Sequence, residues 1–185
     1  MKDPSIALTG LKHTGKSSIA PRVARALDRS ALDLDEEALR LMRVALPRPQ
    51  AGASLRDYVR HYGIDRFRDF ELTALEELLN RRFSGVLACG GGVVDNPGAV
   101  RLLTQATTIV YLTCELDILY ERILRGGIPP FLDPENPYGS FLEVARRRDA
   151  AYRAVADIVV PLDGLTIPKA AQSVTSAIKE REHAR

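Results

Sequence analysis

Only two cysteines, Cys89 and Cys114, occur among the 185 residues. Both sit inside short apolar runs, which excludes a disulfide framework and points to buried thiols in a reducing compartment. No apolar run approaches the ~20 residues needed to cross a bilayer. Excess charge is equally scarce: 26 Lys and Arg against 24 Asp and Glu leave +2, too little to make nucleic acid or an anionic membrane the main partner. The basic runs Arg146-Arg147-Arg148 and Lys179 to Arg185 read as solvated helix faces. The first apolar run begins almost at the N-terminus, at Ile6, leaving no room for a secretory signal. Internal repeats and low-complexity tracts are absent. The expectation is a cytoplasmic protein, most simply one domain over residues 1–185, with 45% apolar residues to fill a continuous core.

What is present is an alternation of short apolar runs with longer amphipathic ones, the pattern of βαβ units and a helix-covered parallel sheet. Strands are expected at Ile6–Thr9, Ala31–Leu34, Val86–Cys89, Thr108–Leu112 and Ile158–Val160. Helices are expected at Lys16–Leu27, Asp35–Val44, Ser54–Tyr62, Arg66–Arg82, Pro97–Thr104, Glu115–Leu124, Tyr138–Val155 and Pro168–Arg181. Pro21 falls inside the first helix and removes one intrahelical bond. Two segments break the pattern. Leu46 to Ser54 is rich in Pro and Gly, and Gly126 to Gly139 carries four prolines and three glycines. Long loops of the second kind often serve as lids.

Gly10-Leu11-Lys12-His13-Thr14-Gly15-Lys16-Ser17 fits G-x-x-x-x-G-K-[ST] and lies between an expected strand and an expected helix, the context its chemistry requires. Four fixed positions match by chance in roughly one chain in two hundred of this length. Gly10 and Gly15 let the backbone approach phosphate oxygens, Lys16 reaches the β- and γ-phosphates, and the Ser17 hydroxyl is placed to ligate Mg²⁺. His13 supplies a backbone N–H there, with its side chain outward. The expectation is a nucleoside triphosphate held by this loop.

Three further groups fall at the same sheet edge. Alternation along Ala31-Leu32-Asp33-Leu34-Asp35 puts both aspartates on one face at the end of the second strand. There, Asp33 suits Mg²⁺ through water and Asp35 suits an attacking hydroxyl. With Glu36 and Glu37 they equally suit the start of a helix. Gly90-Gly91-Gly92 follows the third strand and exposes backbone N–H groups for close contact. Arg68, braced by Glu71 three residues on, suits a fork to a carboxylate or else a surface ion pair. Arg148 and Tyr152 share one face of a later helix.

Taken in order, GLKHTGKSS, ALDLDEE, GIDRFRDFE, CGGGVV and RRDAAY followed by VADIVV resemble the shikimate kinase family of P-loop proteins, from about Ile6 to Pro168. The resemblance implies a three-layer α/β P-loop fold with a five-stranded parallel sheet in the order 2-3-1-4-5. It implies transfer of the ATP γ-phosphate to the 3-hydroxyl of shikimate, with Mg²⁺, by a monomer. The nucleotide would lie on Gly10, His13, Thr14, Gly15, Lys16, Ser17 and Ser18. Pro168 would end an adenine-contacting loop, and Arg122 or Arg125 would stack on adenine. Ser17 and Asp33 would hold the metal. Asp35 would bind the acceptor hydroxyls and act as base. Phe67, Arg68, Gly90, Gly91, Gly92 and Arg148 would complete the acceptor site, the two arginines clamping its carboxylate. The acceptor-binding segment would be about 33–82 and the lid about 125–138.

The lid departs from the family. Its Arg-Pro pair is replaced by Pro129-Pro130, so the arginine that closes over the phosphates is missing, a group worth ~10³–10⁵ in rate. Lys12, where the family usually has an apolar residue, is the leading replacement, with Arg125 beside it. The Pro-Pro pair also implies a stiff lid hinged at Gly126-Gly127 and Gly139. Two alternatives stay open: a kinase for another hydroxylated carboxylic acid, and a non-catalytic nucleotide-binding relative.

Overall fold

A computed structural model describes residues 5–50, 52–125 and 132–184. The chain runs β1 (Ser5–Thr9), α1 (Lys16–Ala26), β2 (Ser30–Asp33), α2 (Leu34–Ala45), α3 (Leu55–Tyr62), α4 (Ile64–Asn80) and β3 (Gly85–Ala88). A 3₁₀ turn (Val93–Asp95) leads to α5 (Pro97–Ala106), β4 (Thr107–Thr113), α6 (Leu116–Arg125), α7 (Pro137–Val155), β5 (Ile158–Pro161) and α8 (Ile167–His183). All strand pairs are parallel, in the order β2-β3-β1-β4-β5. This is the expected sheet.

Alternation along each strand assigns the two faces. Ile6, Leu8, Val86, Ala88, Val110 and Leu112 meet Ile19, Val23, Val174 and Ile178 of α1 and α8. Ala7, Leu87, Ile109 and Tyr111 point the other way, against residues of α2, α4, α5, α6 and α7. Both faces of β1 are buried, so its run reads as continuously apolar rather than alternating. A smaller cluster of Leu39, Met42, Ala53 and Tyr58 seats α3 on α2. Among the described residues no helix is long and apolar enough to cross a membrane.

Register aligns the functional loops. Leu8 pairs with Ala88 on one side and Val110 on the other. The chain therefore leaves β1 and β3 at one edge, where the strand order reverses direction around β1, and ligand crevices form in such places.

The boundary shift that matters for the site is the end of β2. β2 stops at Asp33, because that side chain accepts the backbone N–H of Asp35 at 3.0 Å and starts α2. Asp33 and Asp35 are thus cap and first-turn residues, not alternating strand positions. Gly139 lies in the first turn of α7, its N–H donating to Asn136 Oδ1 at 3.0 Å. Of the expected lid, Gly126, Gly127, Pro129 and Pro130 lie outside the described residues.

Candidate active site

The loop from Gly10 to Gly15 carries the strain its sequence permits. Gly10 and Gly15 have φ of 147° and 96°, and His13, without that freedom, sits at 67°. A Cβ on Gly10 would come within 2.6 Å of the Leu112 carbonyl, so glycine is required there by space as well as by angle. Thr14, buried, closes the loop by donating to the Leu11 carbonyl at 2.9 Å. Lys16 Nζ donates to the Gly10 and Leu11 carbonyls, both at 2.8 Å, and to Thr14 Oγ1 at 3.3 Å. Burial pulls its ammonium down to about 8, against the opposing pull of Asp35, Cys89 and Asp33. The His13 imidazole is held below its ordinary value by desolvation and then by Lys12, Lys16 and Arg122. Its side chain is exposed, as expected.

Asp33 does two things at once. One oxygen caps α2 and the other accepts the Ser17 hydroxyl at 2.6 Å. The cap and the metal reading were alternatives in the sequence; the carboxylate has an oxygen for each. Asp35 packs on the glycine triplet so closely that a Cβ on Gly90 would overlap its Oδ1. That oxygen is buried and meets no hydrogen-bond donor among the described residues. A buried oxygen without a partner is rare in a native fold, and a catalytic role or a bound molecule is among the reasons one persists. Burial pushes the Asp35 carboxyl up to about 6, helped by Asp33 and opposed by Lys16 and Lys12. A carboxylate poised there can take a proton near neutral pH.

Gly91 and Gly92 are equally constrained. A Cβ on Gly91 would come within 2.7 Å of the Lys12 backbone nitrogen, and one on Gly92 within 3.2 Å of Arg148 Nη2. The triplet therefore lets a carboxylate, the phosphate loop and a guanidinium all close on one turn. A cavity of about 300 Å³ results, lined by Lys12, His13, Lys16, Ser17, Asp33, Asp35, Gly90 and Gly91 among others.

Arg68 of α4 and Arg148 of α7 do not line the cavity itself but meet beside it on Asp95, a residue the sequence reading did not single out. Arg148 Nε and Nη2 donate to Asp95 Oδ2 at 2.9 and 2.7 Å, and its Nη1 donates to the Gly91 carbonyl at 3.2 Å. Arg68 Nη2 lies 3.8 Å from the same Oδ2. Arg147, read as part of a solvated face, pairs with Asp95 Oδ1 at 2.7 Å. Burial pushes the Asp95 carboxyl up, but hydrogen bonds from Arg147 and Arg148 outweigh it and leave the group below its ordinary value. Asp95 could not be found from local pattern, because two of its partners lie 52 and 53 residues away.

Glu71 does not brace Arg68 directly. Its carboxylate accepts from Asn96 Nδ2 at 3.0 Å, and the same nitrogen donates to the Arg68 carbonyl at 2.9 Å. Asn96, also unanticipated, therefore ties α4 to the turn carrying Asp95. Arg68 itself pairs with Asp65 at 3.3 Å. Burial pushes Glu71 up to about 7 from an ordinary 4.5, the Asn96 bond opposing and Asp35 adding. The folded protein thus holds this proton more tightly than the unfolded chain. Its stabilising contribution is complete below about 4.5 and disappears as pH rises through about 7, a difference of about 3 kcal/mol. Glu71→Gln is expected to flatten the fall in melting temperature between pH 5 and 7.5. An unchanged slope in calorimetry would contradict the assignment.

Phe67 is half-buried and bridges two core clusters beneath the rim. Arg122 Nη1 donates to the His13 carbonyl at 2.9 Å and so clasps the phosphate loop. Arg125 lies at the exposed end of α6, and Ser18 is exposed at the start of α1. Pro168, exposed in the first turn of α8, follows Ile167, whose Cδ1 would stand 3.2 Å from a Cβ on Gly15. α6 and α8 thus touch the loop through Arg122 and Ile167. Cys89 is buried directly behind the triplet, its thiol pushed far up by burial. It packs; it does not react.

The family model described as shikimate kinase matches residues 13–179. The chain is 34% identical to a shikimate kinase of Chlorobium chlorochromatii, over 96% of this chain and 93% of that one. It is 30% identical to one of Bordetella avium, over 97% of this chain and 81% of the relative. Among solved structures, a shikimate kinase from Acinetobacter baumannii in complex with shikimate superposes with a TM-score of 0.83 at 28% identity, covering 97% of this chain and 95% of the other. A gluconokinase from Sinorhizobium meliloti shares the fold, with a TM-score of 0.58 at 17% identity. With phosphate loop, twin aspartates and glycine triplet around one cavity, and the paired arginines gathered on Asp95 beside it, the chain belongs to the shikimate kinase family.

Proposed function

We propose that this protein transfers the γ-phosphate of ATP to the 3-hydroxyl of shikimate. The observation that carries this is the orphaned Asp35 oxygen, seated on Gly90 and facing the same cavity as Lys16. Phosphoryl transfer needs a base at the acceptor hydroxyl, cations at the developing charge, and little covalent chemistry from the protein. Asp35 serves as the base and accepts the hydroxyl proton. Lys16 and the N–H groups of residues 13 to 18 carry the phosphates, while Arg122 steadies the loop through the His13 carbonyl. Arg68 and Arg148 take the acceptor's carboxylate, and Phe67 supports the wall beneath it.

Ser17 and Asp33 present two hard oxygens at the phosphate end, the donor type Mg²⁺ prefers. Among the described residues no group of three or more His, Cys, Asp or Glu is placed to hold a metal. Mg²⁺ in kinase sites uses one or two protein oxygens, with waters and phosphate oxygens completing its shell, so the pair fits. When bound there it neutralises charge on the β- and γ-phosphates. In this reading residues 33–82 carry the acceptor and a lid follows Arg125, in a single-domain cytoplasmic monomer.

Lys12 supplies the cation that the lid sequence lacks. It is exposed, lines the cavity, and acts electrostatically on Asp35. A coupled ADP-release assay tests the whole reading. Shikimate is expected to support turnover at least a hundredfold above quinate or gluconate. Equal or greater turnover with either of those would assign a different acceptor, and nucleotide binding without turnover on any would remove the kinase reading.

A further inference from the structure

Asp95 closes the 3₁₀ turn after the glycine triplet, its N–H donating to the Gly92 carbonyl at 2.9 Å. Its side chain is only 7% exposed. One oxygen, Oδ2, gathers two N–H groups of Arg148 and lies 3.8 Å from Arg68. The other is held by Arg147 at 2.7 Å. The two arginines assigned to the acceptor's carboxylate thus already share an oxygen of the protein's own.

Three guanidinium groups drawn to one spot repel one another unless a counter-charge holds them. Asp95 is that charge. It grips the Nε–Nη2 edge of Arg148, while the Gly91 carbonyl takes Nη1, so the guanidinium plane is fixed from two directions. Its own position is fixed by the turn and by Arg147. A carboxylate so near the acceptor's carboxylate also opposes it by like charge. Preorganisation outweighs that repulsion, because three cations surround the single anion, and an arginine fixed before binding loses little entropy on binding.

We infer that Asp95 is a positioning residue that sets the geometry of Arg68 and Arg148, and through them the preference of this site for an acceptor bearing a carboxylate. Arg147 belongs to the same device, holding Asp95 in place from the solvent side. The inference rests on the shikimate reading of this site.

The experiment compares shikimate with its neutral carboxamide in wild type, Asp95→Asn and Arg147→Met. Wild-type turnover of shikimate is measured first, and its absence would sink the function reading and not this one. With that in hand, Asp95→Asn is expected to raise the KM for shikimate at least tenfold. The KM for ATP, kcat at saturation and the KM for the carboxamide stay within threefold. Arg147→Met, at an exposed position that tolerates truncation, is expected to shift shikimate KM about threefold in the same direction and leave the carboxamide unmoved. A general loss of structure would burden both acceptors alike. Equal shifts for the two acceptors, or an unchanged or lower shikimate KM in Asp95→Asn, would overturn the inference. Should Asp95→Asn fail to fold, the Arg147→Met comparison decides alone.

Discussion

Asp35→Asn is expected to lower turnover by about 10³-fold while leaving nucleotide affinity within about threefold. The amide keeps the shape of the carboxylate against Gly90 and cannot accept the acceptor's proton. No hydrogen bond of the phosphate loop uses that side chain: Lys16 is held by Gly10, Leu11 and Thr14, and Ser17 by Asp33, while Asp35 acts on Lys16 through charge alone. Steady-state kinetics paired with nucleotide titration separates the two effects. The pH profile adds a second signature. Burial and Asp33 raise the Asp35 carboxyl to about 6, and the ionised form is the active one, so kcat/KM falls as pH drops through about 6. Glu71, raised to about 7, interacts with Asp35, so the observed limb belongs to the coupled pair. A variant with wild-type turnover would remove Asp35 from the chemistry.

Lys12→Met is expected to reduce kcat at least a hundredfold, because the substitution deletes the cation proposed to stand in for the family's lid arginine (a group worth ~10³–10⁵). Lys12 is well placed for the task. Its backbone lies against Gly91, where a Cβ would intrude to 2.7 Å, so the glycine lets the loop and the triplet close on each other. The methionine keeps length and apolar stem, which isolates charge from packing. Lys12 also lowers the Asp35 carboxyl, so its removal raises that group further. The acid limb of the pH profile is expected to move to higher pH in the same variant. Turnover within a few-fold of wild type, or an unmoved limb, would leave the phosphoryl charge to other groups.

Much of this arrangement was legible in the chain because it is local. Each strand is a short apolar run bounded by a glycine, a cap or a polar turn, and the phosphate loop occupies consecutive residues. Gly90-Gly91-Gly92 could be placed at the correct edge simply by following a strand. What a strand-period reading misplaced was the end of β2. Alternation put Asp33 and Asp35 on one face, whereas Asp33 caps α2 and turns Asp35 into the cavity from a helix. The facing was right and its cause was wrong. The bracing of Arg68 by Glu71 failed for a related reason. Helical spacing puts the two within reach, but Asn96, 25 residues from Glu71, offers a buried donor that claims the carboxylate. Asp95 escaped because two of its arginine partners lie 52 and 53 residues away, and Arg147, although inside the RRDAAY run, looks in sequence like any member of a basic helix face. Residues that act by holding other residues leave no local signature.

The acceptor assay on the wild-type protein, with its product identified, tests the central claim most directly. ATP consumed is expected to equal shikimate 3-phosphate formed, with phosphorus resonance placing the group on the 3-hydroxyl and with quinate and gluconate at background. ADP released at the same rate without acceptor, or phosphate carried by quinate or gluconate instead, would contradict the account.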